Sequence, residues 1–155
     1  MDNLSTNDQN IFREKGRTFR GTFKIPLDKL QHEDRRDNIR QFDEGNVLRL
    51  VNVFRAEGCL RHDAENHVEG LISRFSLPEG LARANGAPDG LFAEPPLFNP
   101  EQGVTYLQGR HRLEAARRFL IGDDQWWIVD LYSKGQNILY QSLLSLTTIQ
   151  TSPLR

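Results

Sequence analysis

The residues with the greatest capacity for chemistry are Gln108-Gly109-Arg110-His111-Arg112, which open onto Leu113–Leu120. Leu113, Ala116 and Leu120 fall on one helical face, with Ala115 and Phe119 beside them, so the stretch reads as a helix. The first N–H groups of a helix have no intrahelical partner and carry partial positive charge, which suits an anion. Glycine at position 109 lets the chain turn sharply and lets a ligand approach the backbone. Arg110, His111 and Arg112 can then converge on one anion. Arg117 and Arg118 follow, so Gly109–Arg118 sums to +3, four Arg against one Glu. Two readings stand side by side. One is phosphate binding. The other is a structural ion-pair cluster, whose acidic partner would be His32–Glu44 with three Arg and five acids.

Other reactive types are scattered. Cys59, His62 and His67 lack a fourth ligand and follow no zinc spacing closely, so no metal ligand is assigned. A lone Cys after a helix reads as a small buried group rather than a nucleophile. Trp126 and Trp127 could stack on bases, but in so apolar a strand they read as core, with one of them lining the pocket. Arg13, Lys15, Arg17, Arg20 and Lys24, with one acid, Glu14, form a basic arm of +4. Arg17, Arg20 and Lys24, together with Arg117, are the candidate nucleic-acid contacts; a solvated strand face is the plainer reading.

The elements that must position these groups follow from periodicity. Residues 1–17 are polar and are expected to be flexible or loosely attached. A half-buried strand is expected over Thr18–Leu27, where Phe19, Gly21, Phe23 and Ile25 alternate with polar residues and Pro26 ends the run. His32–Glu44 reads as a surface turn or short helix. Asn46 is the expected cap of a helix to Glu57, whose Val47, Leu50, Val51 and Phe54 make one stripe, with Gly58 as the stop. A short strand follows within Val68–Phe75. Residues 78–100 are rich in Gly and Pro and read as an insertion or lid loop. Val104–Leu107 is a strand, Gly122 is expected to end the helix after the Arg cluster, and Trp126–Tyr132 is a central strand buried on both faces. Gln136–Leu146 is a last helix, and 147–155 a tail, which suggests a chain cut from a longer protein. This order gives a small α+β (mixed α/β) domain spanning 18–146.

Bulk composition narrows the classes. The 155-residue chain carries 20 Lys+Arg against 21 Asp+Glu, for a net charge of -1. That balance excludes a protein that coats nucleic acid by bulk charge. One cysteine excludes an intrachain disulfide scaffold. No apolar run approaches the roughly 20 residues of a transmembrane helix, and the polar N-terminus is no secretory signal. The expectation is an intracellular protein, nuclear or cytoplasmic, with no membrane partner. Sixteen of the 20 basic residues are Arg, whose planar fork suits phosphate and carboxylate.

A strand ending in Gly-x-His-Arg-Leu-x-Ala-Ala-Arg, followed by a Val-containing strand, resembles the ParB/sulfiredoxin-like fold. Ile25-Pro26-Leu27-Asp28-Lys29-Leu30, then Arg40, Phe42-Asp43-Glu44 and a helix closed by Gly58, is similar to the ParB opening, with the Arg displaced by one position. Both families place nucleotide phosphates on the turn at Gly109. The resemblance covers roughly Phe23–Tyr132. It implies a nucleotide, CTP or ATP, held by Gly109, Arg110, His111 and Arg112, with Mg2+ bridging the phosphates. Arg40 is the leading candidate among Arg35, Arg36 and Arg40 for reaching the phosphate tail. Hydrolysis or a nucleotide switch would follow from the same resemblance. Sulfiredoxin's reactive Cys is replaced by Arg110, so reductase chemistry is not carried over.

A further resemblance is to an uncharacterised fungal protein family carried in large mobile elements. It rests on Glu57-Gly58-Cys59-Leu60-Arg61, Glu65-Asn66-His67-Val68, Gly109–Arg117 and Trp126–Tyr132. The alternatives are a DNA-binding or nuclease domain of ParB-like type, for which Glu114 alone is an insufficient carboxylate set, and a non-catalytic protein interaction module.

Overall fold

The computed structural model describes residues 6–33, 42–73, 94–106 and 108–134. The elements are α1 (Thr6–Thr18), β1 (Phe19–Pro26), β2 (Leu30–His32), α2 (Glu44–Glu57), β3 (Val68–Ile72), β4 (Val104–Tyr106), α3 (Arg110–Phe119) and β5 (Trp126–Ser133). Short 3-10 turns at Leu27–Lys29, Ala64–Asn66 and Gly122–Asp124 join them. Among the described residues the strands form one mixed sheet in the order β1-β5-β3-β4-β2. β1 pairs antiparallel with β5, β5 parallel with β3, β3 antiparallel with β4, and β4 parallel with β2. The fold class is therefore α+β.

The register sorts the side chains by face. Phe23 and Ile25 of β1 lie opposite Val129 and Trp127 of β5, and Val68 of β3 lies opposite Val129. With Val104 and Tyr106 these residues form the buried core beneath α2 and α3. Phe54 of α2 completes it against Trp127 and Phe119, with ring centroids 6.0 Å apart in each pair. Gly70 sits where side chains of the two neighbouring strands crowd over β3. A Cβ there would stand 2.5 Å from Val104 Cγ1 and 2.8 Å from Val129 Cγ1. The opposite face carries Thr22, Lys24, Glu69 and Asp130 at the alternate positions.

Several boundaries differ from expectation. The polar N-terminal segment holds α1, tied down by Lys15, which bonds Glu69 at 2.5 Å and lies over the Tyr132 ring. Those partners lie far along the chain, so local periodicity does not register them. α2 begins at Glu44 rather than after Asn46, because the extended Asp43 accepts the Gly45 N–H at 2.9 Å. Asn46 instead accepts from Arg49 within the first turns of the helix. Gly58 does close α2, at φ +83. α3 ends before Gly122: Leu120 is its C-cap, and Gly122, at φ +58, opens the next 3-10 turn. β5 is an interior strand, as its apolar pattern implies. Residues 94–100, the end of the expected insertion or lid loop, run alongside β1. The Lys24 N–H donates to Pro96 O, the Phe98 N–H donates to Lys24 O, and Phe98 is buried. The expected last helix at 136–146 and residues 78–93 lie outside the described residues.

Candidate functional site

α3 starts at Gly109, which adopts the left-handed conformation (φ +96, ψ 16). Its carbonyl accepts the Leu113 N–H at 2.9 Å, closing the first turn. Glycine is required twice over. The conformation disfavours any other residue, and a Cβ would stand 3.1 Å from Val68 Cγ2 on the sheet below. Its N-cap is a glycine, which has no side chain to cap the start, and the first turn holds no acid. A helix start presents N–H groups without an intrahelical partner, and here Arg110 and Arg112 stand in that same first turn.

The flanks come from two other segments. Phe42 and Asp43, just before α2, meet the turn on one side. The Asp43 N–H donates to His111 Nε2 at 2.9 Å. The Phe42 and His111 rings stack with centroids 5.5 Å apart and planes 10° apart. The Arg110 guanidinium lies over the Phe42 ring, 4.9 Å from its centroid. On the other side is the loop before β3, where Arg112 Nη1 makes a long 3.5 Å bond to Asn66 O. The same carbonyl accepts the buried Trp127 Nε1–H at 2.9 Å. Burial works against the Arg112 charge, and Glu65 opposes that effect.

The remaining arginines of the cluster are engaged inside the chain. Arg117 Nη2 donates to Leu30 O at 3.0 Å and Leu27 O at 3.3 Å, tying α3 to the start of β2. Arg118 forks onto the Glu44 carboxylate, with one bond at 3.0 Å, and also meets Glu114 at 3.3 Å. The acidic partner foreseen in His32–Glu44 is therefore present, but it pairs with Arg118, two turns beyond the Gly109 turn. Of the basic arm, Lys24 bonds Glu94 and lies 4.4 Å over the Trp126 ring, while Arg13, Arg17 and Arg20 are exposed. Arg35, Arg36 and Arg40 lie outside the described residues.

Cys59, His62 and His67 are engaged by different groups. Burial, with Asp124 acting in the same sense and Arg61 against it, pushes the Cys59 thiol up, which disfavours a nucleophilic thiolate. His62 bonds Glu94 at 3.4 Å and meets the edge of Trp126. His67 joins Asp130 at 3.1 Å and His62 O at 3.2 Å, and Asp130 also accepts from Thr22 Oγ1 at 2.7 Å. Among the described residues, no group of three or more His, Cys, Asp or Glu could hold a metal. Trp127 is core; Trp126 is flanked by Lys24 and by Arg61, whose guanidinium lies 3.3 Å from the ring centroid. A shallow depression of about 400 Å³ lined by Lys15, Gly16, Phe19, Asp130 and Tyr132 lies on the sheet face away from α3. Burial, then Glu69 and Asp130, push the Tyr132 phenol up. The site residues that sequence reading missed are Phe42, Asn66 and the backbone of Asp43. Asn66 and Asp43 act through main-chain groups, which leave no signature in residue type, and Phe42 reaches the turn only through tertiary packing.

Together these features define an α+β domain with a candidate anion site at a glycine-started helix. The chain belongs to the family described as "Protein of unknown function (DUF3723) N-terminal domain", whose profile matches residues 18–148. No curated protein matches. Among solved structures the chain is similar to the C-terminally truncated chromosome-partitioning protein ParB from Caulobacter crescentus, which was crystallised with CTP-gamma-S. The identity is 16% and the TM-score 0.46, over 86% of this chain and 56% of that one. No helix among the described residues is long and apolar enough to cross a membrane.

Proposed function

We propose that the Gly109 turn binds the phosphate groups of a nucleotide. The observation that carries this reading is the start of α3, with left-handed Gly109 as its N-cap, no first-turn acid, and Arg110 and Arg112 in that same turn. The backbone N–H groups supply directed donors. Arg110, on the Phe42 face, and Arg112, beside Asn66, supply positive charge from two sides. His111 lies between them in the chain and faces Asp43.

Mg2+ fits as an ion carried by the nucleotide, since it keeps waters and phosphate oxygens and needs few protein ligands. The described residues offer no acidic cluster to hold it alone. Any hydrolysis at this site would rest on positioning and charge neutralisation. The DNA-binding reading has exposed Arg17 and Arg20 in its favour, whereas Lys24 and Arg117 are engaged within the chain.

The test is calorimetric titration with CTP, ATP and GTP in Mg2+. Binding of one of them, lost in Arg112→Ala, is the expected result. No heat from any of the three with the folded protein ends this reading.

A further inference from the structure

We propose that His111 is a positioning residue of this site. It works as a neutral hydrogen-bond acceptor that holds Phe42 and Asp43 against the turn, and not as an imidazolium ligand of phosphate. The inference rests on the nucleotide reading for its functional consequence but stands on contacts that need no ligand.

The first contact is the bond from the Asp43 N–H to His111 Nε2 at 2.9 Å. A backbone N–H only donates, so Nε2 must offer a lone pair, and the ring proton of neutral His111 sits on Nδ1. Protonating Nε2 would set two donors against each other. It would also place a third positive charge in a turn that already holds Arg110 and Arg112. The second contact is the near-parallel stack of Phe42 on the His111 ring. The third is the Arg110 guanidinium over that same Phe42. Thus His111 fixes the backbone beside Phe42 and the Phe42 ring, and Phe42 offers a face to the fork of Arg110. A cation held on an aromatic face keeps its donors free for an anion.

Among the described residues, the charged groups around this junction come from three elements. On α3 they are Arg110, Arg112 and Glu114. At the start of α2 are Asp43, whose carboxylate caps its own helix through Gly45, and Glu44, which Arg118 holds. From the loop before β3, Glu65 acts on Arg112. None of them replaces the acceptor that Asp43 N–H finds on His111.

Two measurements test the proposal. In the ligand-free protein, long-range 15N–1H NMR of the His111 ring should show Nε2 unprotonated and Nδ1 protonated at pH 7.5. A protonated Nε2 there overturns the proposal. The second is titration of CTP and ATP from pH 8 to 5.5 into wild type and His111→Gln, whose amide oxygen can accept from Asp43 without titrating. The ratio of the two affinities cancels the protonation of the nucleotide itself. Across the pH range in which NMR shows the ring gaining its proton, wild type should weaken against the Gln variant by about 3- to 10-fold, the worth of one hydrogen bond. His111→Ala should lose affinity at every pH, and adding Arg110→Ala to it should cost less than Arg110→Ala alone. Tighter binding by wild type as its ring protonates would mark His111 as a phosphate ligand and sink the proposal. If no variant binds either nucleotide, the nucleotide reading fails, and the NMR result still decides the role of His111.

Discussion

Arg118 and Glu44 join the two helices that flank the site. The guanidinium meets both carboxylate oxygens, and hydrogen bonding to Arg118 holds the Glu44 carboxyl below its ordinary value of 4.5. A carboxyl depressed in the folded state adds stability above its unfolded pKa and loses it as pH falls through the folded one. Glu44→Gln should therefore show a lower urea midpoint than wild type near neutral pH, with the gap closing as pH falls below about 4.5. A gap that stays constant with pH would show that the pair contributes nothing through the Glu44 charge. At this scale the sequence was informative about type and silent about partners. Gly109 followed by Arg, His and Arg announces a turn suited to anions. That His111 would take its hydrogen bond from Asp43, 68 positions away, is a product of tertiary packing. The same holds for Arg117, whose charge suggested nucleic acid but whose fork satisfies the carbonyls of Leu27 and Leu30.

The elements place the site by close packing of side chains from neighbouring strands of the sheet. β3 must lie near both β4 and β5 while leaving room for Gly109 over Val68, and Gly70 permits this. Gly70→Ala would force its Cβ into Val104 and Val129. It should cost about 1–3 kcal/mol as overpacking, read as a lowered urea midpoint. An unchanged midpoint would mean that Val104 and Val129 give way without penalty. The legible elements are those with a strong local period. The α2 stripe of Val47, Val51 and Phe54 is buried as expected, and so is most of β5. Helix starts were harder to read because a cap depends on backbone conformation. Asp43 and Asn46 are both good caps by type, and only the extended backbone of Asp43 decides between them. α1 was missed because its polar sequence carries no apolar stripe, and its anchors, Glu69 and Tyr132, lie on β3 and β5.

Over the whole molecule, a net charge of -1 conceals a division of labour between the faces of the sheet. One face buries the apolar core beneath α2 and α3, and the Gly109 turn opens at the end of that layer. The other face carries ion pairs such as Lys15–Glu69 and Lys24–Glu94, which neutralise one another, and the His67–Asp130 hydrogen bond. Under the nucleotide reading, a ligand would meet the positive charge of Arg110 and Arg112 at the turn, and that charge is local, which is why the total charge gave no sign of it. The most direct measurement is a crystal structure grown with CTP or ATP and Mg2+, with sulfate as the fallback anion. The account predicts phosphate or sulfate density within hydrogen-bond distance of the backbone N–H groups of residues 110–112, with the Arg110 and Arg112 guanidiniums turned toward it. A turn filled by an acidic side chain of the protein, with no anion there at saturating nucleotide, would contradict it.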